Sequence, residues 1–140
     1  MDKTLNYLAL ARKAGLAELG EEPVGAITRA LKGHLVLVAQ DASDHTWRRA
    51  KSFVAGTNQQ CVRIPYTKDD MGAAVGRTSL AIAAMTDPAM ALAFLKALND
   101  PEAYGEAMEN LDKRAQRIRQ RQDEEKAHQR NKRFGRTKRN

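Results

Sequence analysis

The sequence predicts an α/β protein: a three-layer α-β-α sandwich on a mixed sheet of about four strands, followed by an extra C-terminal helix and a basic tail. Three observations carry this expectation. Short apolar runs alternate with segments of helical period, as strands and covering helices do. Leu35-Val36-Leu37-Val38-Ala39 is apolar without interruption, the pattern of a strand covered on both faces. Glycine, proline and capping residues punctuate the boundaries between the segments.

Taken in order, Thr4 to Ala14 puts Leu5, Leu8 and Ala9 on one helical face, and Gly15 stops it. Leu16 to Leu19 is short enough for an edge strand. Pro23, at a first-turn position, starts a second helix with Val24, Ile27, Ala30 and Leu31 inward, and Gly33 ends it. Leu35 to Ala39 is the central strand. Ser43 or Asp44 caps a third helix through about Ala55, and Gly56-Thr57-Asn58 breaks it. Cys61 to Ile64 fits a short strand, Thr67 or Lys68 opens a small helix closed by Gly76, and Ser79 to Met85 fits another buried strand. Asp87-Pro88 is a cap followed by proline at the first helical position, with Met90, Leu92, Leu95 and Leu98 on the apolar side of the helix that follows.

The expected organisation is a domain over residues 1–98, a C-terminal helix over 99–122, and a basic, disordered tail over 123–140. Asn99-Asp100-Pro101 repeats the start signal. Tyr104, Met108, Leu111, Ala115 and Ile118 are spaced by 4, 3, 4 and 3 residues, a stripe of about two heptads. A helix this short needs a packing surface, so the stripe either docks on the domain or pairs with another chain. After Ile118 the seam turns polar and the helix is expected to fray.

Charge divides the chain sharply. The net charge is +7, yet residues 1–110 carry 12 Lys/Arg against 13 Asp/Glu while residues 111–140 carry 12 against 4. A run of like charge of this kind suits contact with a polyanion, with Lys132, Arg133 and Arg136 as phosphate-binding candidates; a purely solubilising tail is the alternative. The chain holds 1 cysteine, so no disulfide framework or multi-cysteine metal site can be written, and a reducing cytoplasm is the expected setting. Its longest apolar run, Leu80 to Met85, is too short to cross a bilayer, so no membrane anchor is expected.

Tests for chemistry return little. Met71-Gly72-Ala73-Ala74-Val75-Gly76-Arg77-Thr78 misses the phosphate loop GxxxxGK[ST] at two positions and lies in a helix rather than after a strand. No glycine follows the Leu35 to Ala39 strand, which excludes a dinucleotide-binding turn. Ser43-Asp44-His45 are consecutive and cannot adopt triad geometry. His34, His45 and His128 lack ligand spacing, and Cys61 reads as a small apolar residue. No enzyme, cofactor or metal is expected. Trp47 stands out, because it is followed at once by Arg48, Arg49 and, two residues on, Lys51. An aromatic ring among cations can stack on an unpaired base while the cations hold phosphates; core packing is the other reading.

Leu8-Ala9-Leu10-Ala11-Arg12-Lys13-Ala14-Gly15, Gly20-Glu21-Glu22, Leu35 to Ser43 and Met71 to Arg77, in that order, resemble the small bacterial YlxQ-like proteins, which belong with the kink-turn-binding ribosomal proteins of the archaeal and eukaryotic large subunit. The resemblance covers residues 3–98. It implies an α-β-α sandwich gripping a sharply bent RNA loop, with the start of the second helix at sheared G·A pairs and two loops around a flipped nucleotide. Those positions correspond to Gly20, Glu21, Glu22, Pro23 and Ala26, to Ser43 with Trp47, and to Pro65, Tyr66 and Lys68. Where strong kink-turn binders carry Asn-Glu and, three residues later, Lys, this chain has Glu22-Pro23 and Ala26. The implied partner is RNA, ribosomal RNA first, and with it the ribosome; a monomer is expected. A protein interaction module acting through Tyr104 to Ile118 is the alternative function.

Overall fold

The computed structural model describes the backbone of residues 3–138 and the side chains of residues 3–131. The elements run α1 (Leu5–Lys13), β1 (Ala17–Leu19), α2 (Glu21–Arg29), β2 (Leu35–Val38), α3 (Asp44–Val54), β3 (Gln60–Arg63), α4 (Lys68–Ala74), β4 (Ile82–Met85), α5 (Pro88–Leu98) and α6 (Pro101–Lys138). The punctuation residues act as their chemistry dictates. Ser43 Oγ accepts from Thr46 N at 3.1 Å, Asp87 Oδ2 from Met90 N at 3.0 Å, and Thr67 and Asp70 form a reciprocal capping box on α4.

The four strands form one mixed sheet in the order β1-β4-β2-β3, with β2 and β3 parallel and the other pairs antiparallel. α2 and α3 pack on each other and on the strands, while α1 packs on α4 and α5, and α5 on α6, so helices cover both sides of the sheet. Leu35 through Ala39 are fully buried, as are Ala83, Ala84 and Met85 on the adjoining strand. Two layers of helix must close over those strands to account for that burial.

Two inward assignments on α2 fail. The helix ends at Arg29, and Leu31, two residues before Gly33, takes a left-handed φ of 61° and is 55% exposed. Ala30 is exposed as well. The buried face is made instead by Val24, Gly25 and Thr28, because Phe53 of α3 packs against Gly25 and the Thr28 hydroxyl donates to Val24 O at 2.9 Å. Ala9 on α1 likewise yields its inward place to Ala11, which is fully buried.

The core does not end with α5. Tyr104, Ala107, Leu111 and Ala115 of α6 are buried, so the heptad stripe docks on its own domain, against α5 and β3. The helix also continues to Lys138, past the fraying expected after Ile118 and through the segment read as a disordered tail. Residues 116–134 contain no glycine or proline and are dominated by Arg, Gln, Glu, Lys and Ala, all good helix formers. Local side-chain pairs add to this: Gln116 with Asp112 at 3.1 Å, Gln120 with Glu124 at 3.3 Å, and Lys113 with Glu109 at 3.4 Å.

At the opposite end of β2 from its α3 connection, buried His34 has Nδ1 without a hydrogen-bond partner. Burial pushes its pKa below the ordinary 6.5, and the Arg114 charge pushes the same way, against a smaller pull from Asp87. The unfolded chain therefore binds more protons at this residue as pH falls below 6.5, so its contribution to stability is complete above that value and is lost on acidification. Thermal melts from about pH 7.5 to about pH 5 should fall more steeply for the native chain than for His34→Gln. Parallel curves would remove His34 as the source.

Candidate nucleic-acid interface

Because β1, β2 and β3 run the same way and β4 runs against them, the connections after β1, β2 and β3 and the one entering β4 meet at one end of the sheet. Backbone hydrogen bonds tie them together. Gly20 N donates to Ile82 O at 3.0 Å, Ala39 N to Ala81 O at 2.9 Å, Gln40 N to Tyr66 O at 2.9 Å, and Leu80 N to Lys68 O at 2.9 Å. Asp41 Oδ1 accepts from Lys68 N at 2.8 Å, fastening the β2–α3 loop to the start of α4. α2 and α3 both present their N-termini here, where free amides and the positive end of the helix dipole favour acceptor groups.

Gly20 turns the chain into α2 with φ 96° and ψ 162°, a conformation open to glycine and strained for any L side chain. A Cβ at that position would lie 3.9 Å from Nη1 of Arg77, so the Arg77 guanidinium stands beside the start of α2. Glu21, next in sequence, accepts from Arg49 Nε at 2.6 Å, and the Arg49 guanidinium in turn lies 4.9 Å from the Phe53 ring centre. Glu22 and Ala26 are exposed on α2.

Trp47 is neither a free platform nor a core residue. It is half-buried against the core, with the Arg63 guanidinium 5.1 Å and the Lys51 ammonium 5.7 Å from its ring centre. Arg48 points away into solvent-exposed space on the same helix. The second loop splits: Pro65 is exposed and Lys68 half-buried, whereas Tyr66 is buried at 8% exposure, with its carbonyl taken by Gln40 N. Ser43 spends its side chain on the α3 cap. Lys132, Arg133 and Arg136 lie outside the residues whose side chains are described, on the last turns of α6.

The edge thus gathers Gly20, Glu21, Glu22, Ser43, Trp47, Pro65 and Lys68 within one set of bonded loops, brings to it Arg49 and Lys51, already marked as cations beside Trp47, and Arg77, and adds Arg63, which sequence reading did not single out. Its charge is mixed. Glu22, Asp44 and Asp69 expose carboxylates among Arg48, Lys68 and Arg77. Cys61 offers no nucleophile: burial pushes its thiol up to about 12, against smaller opposite effects from Lys51 and Arg63, so it stays protonated at neutral pH. Among the described residues no three His, Cys, Asp or Glu side chains cluster as metal ligands, and no helix is long and apolar enough to cross a membrane.

The class this geometry defines is an α-β-α sandwich whose loops converge at one end of a four-stranded mixed sheet. Solved structures share that fold, among them the following two. One is a protein with unknown function from Bacillus halodurans, 20% identical over 71% of this chain and 100% of that chain, with a TM-score of 0.65. The other is a Giardia lamblia 15.5kD RNA binding protein, 17% identical over 72% of this chain and 86% of that chain, with a TM-score of 0.58. No family model matches the sequence, and no curated protein matches it.

Proposed function

We propose that this chain is a non-enzymatic RNA-binding protein that recognises a structured, kink-turn-like loop, in ribosomal RNA, through the loop end of its sheet, with α6 adding phosphate contacts. The observation that carries the reading is the bonded set of loops around Gly20, Asp41 and Lys68, in a fold shared with the Giardia lamblia RNA binding protein. The motif resemblance to YlxQ-like proteins points the same way.

The mixed charge of this edge says what kind of contact it makes. Phosphate binding wants an excess of cations, whereas Glu22 and Asp44 are acceptors suited to the amino groups of guanine or cytosine. Recognition here falls to base edges and loop shape, and bulk affinity to the net positive residues 111–140. The apolar stripe that a protein interaction module would use is buried on the domain itself, which leaves that alternative without its contact face.

Titration of the full chain with a kink-turn RNA, a plain duplex and an unstructured strand of equal length tests this. The kink-turn is expected to bind tightest at about 0.15 M salt, and Arg77→Gln to weaken it. Equal affinity for all three would remove loop recognition, and no binding to any would remove the function. Ala26→Lys restores a cation on the exposed side of α2, and is expected to tighten kink-turn binding by about 1.5 kcal/mol. No gain, with the fold intact, would turn this helix face away from RNA.

A further inference from the structure

At the far end of β3 from the loop edge, α6 and the sheet enclose a cleft of about 290 Å³. Its walls are Thr57, Asn58 and Gln60 on one side and Asn110, Lys113, Arg114 and Arg117 on the other. Every lining residue is polar or charged. Lys113 is paired with Glu109, but Arg114 and Arg117 take part in no ion pair among the described residues. Arg114 Nε is moreover buried without a hydrogen-bond partner. That buried Nε cannot itself reach a ligand, but Arg114 and Arg117 line the cleft with no hydrogen bond or ion pair to protein among the described residues, which leaves their outer guanidinium nitrogens to hold an anion. Asn110 reaches across to Gln60 at 3.5 Å, so both walls are held by the docking of α6 through Leu111 and Ala115.

The chemistry narrows the ligand. Two unpaired guanidiniums with three side-chain amides match one phosphodiester unit, whose charged oxygens take the arginines and whose sugar and base edges take the amides, while the Thr57 hydroxyl is spent on Val54 O and Gln59. In sequence, residues 118–140 that follow the cleft carry 9 Lys/Arg against 3 Asp/Glu, a cation excess that suits a polyanion better than a single small anion. We propose that this cleft is a second nucleic-acid site, which seats the backbone of a single-stranded RNA segment separate from the loop recognised at the other end of the sheet. The proposal rests on the RNA-binding reading above and extends it: the two sites lie at opposite ends of β3, about 10 Å apart along the strand, and hold two stretches of RNA in a fixed relation.

Nuclear magnetic resonance on the full chain separates the two readings residue by residue. A ten-nucleotide oligouridylate, which has no structured loop, should shift the side-chain amides of Asn58, Gln60 and Asn110 and the Nε–H signals of Arg114 and Arg117. A kink-turn RNA without single-stranded ends should shift Gly20, Lys68 and Arg77 instead. In the Arg114→Gln/Arg117→Gln variant the oligouridylate shifts at the cleft should vanish, and the slope of log affinity against log salt should fall by about 0.7 for each phosphate released. Asn58→Ala should weaken oligouridylate binding with that slope unchanged. Shifts confined to residues 121–138, or to the loop edge, would overturn the cleft while leaving the proposed function standing. Shifts from neither RNA would overturn both. Polyglutamate moving the cleft signals as strongly as oligouridylate would make it a site for acidic protein and end the RNA assignment.

Discussion

Leu111→Ala is expected to lower the unfolding free energy by about 3 to 5 kcal/mol, the range for emptying a fully buried leucine position whose neighbours collapse incompletely. Leu111 is 1% exposed and sits at the middle of the stripe that docks α6, flanked by Tyr104, Ala107 and Ala115. Without that anchor the highly charged remainder of the helix has no packing face, and a solitary helix in water is marginal. Denaturant titration would give the energy, and amide exchange would show protection lost first from about residue 101 onward. A loss under about 1 kcal/mol would mean that α6 does not rest on the domain.

Gly72→Ala is expected to cost about 3 kcal/mol, at the upper end of overpacking effects. A Cβ at Gly72 would fall 2.7 Å from Ser79 N and 2.8 Å from Arg77 O, both backbone atoms that cannot swing aside. Gly72 O also accepts from Arg77 N at 2.8 Å, so the turn into β4 is folded directly onto this helix position. Relief would have to push residues 77–79 outward, moving Arg77 from its place beside Gly20 and weakening the proposed RNA contact along with stability. Gly105→Ala is the matched control: nothing lies within 4 Å of its added methyl, inside a helix, and it should stabilise by up to about 1 kcal/mol. Melting both variants decides the matter, since equal small changes would deny the tight packing at Gly72.

The elements were legible because their ends are written in local chemistry. Pro23, Ser43, Thr67, Asp87-Pro88 and Asp100-Pro101 each mark a helix start that needs no distant partner. Strand order was not legible: the apolar runs at 35–38 and 82–85 are equally buried, and nothing in either says that β4 inserts between β1 and β2. The α2 face was misread because its buried positions are a glycine and a threonine, small residues whose inward place depends on Phe53 from another helix. Gln59 escaped notice for the same reason. Its amide accepts from Gly33 N at 2.8 Å and donates to Thr28 O at 3.1 Å, contacts 26 and 31 residues away. Of the candidate site, the turn at Gly20 and the caps could be read from residue type, whereas Arg77 entered only as the end of a failed phosphate loop and of a resembling motif; its neighbourhood with Gly20 is a product of the fold.

Tyr104 donates its hydroxyl to Arg63 O at 2.9 Å, and that carbonyl belongs to an outermost strand of the sheet. An outermost strand with open hydrogen-bonding groups is a template on which a neighbouring chain can add a strand of its own. Here α6 packs against β3 and occupies part of that template, while the other border strand, β1, has only 3 residues to offer. In a crowded solution the helix therefore keeps one molecule from growing onto the next. Tyr104→Phe, which removes the hydroxyl and leaves the ring, should make the protein more prone to form aggregates on gentle heating.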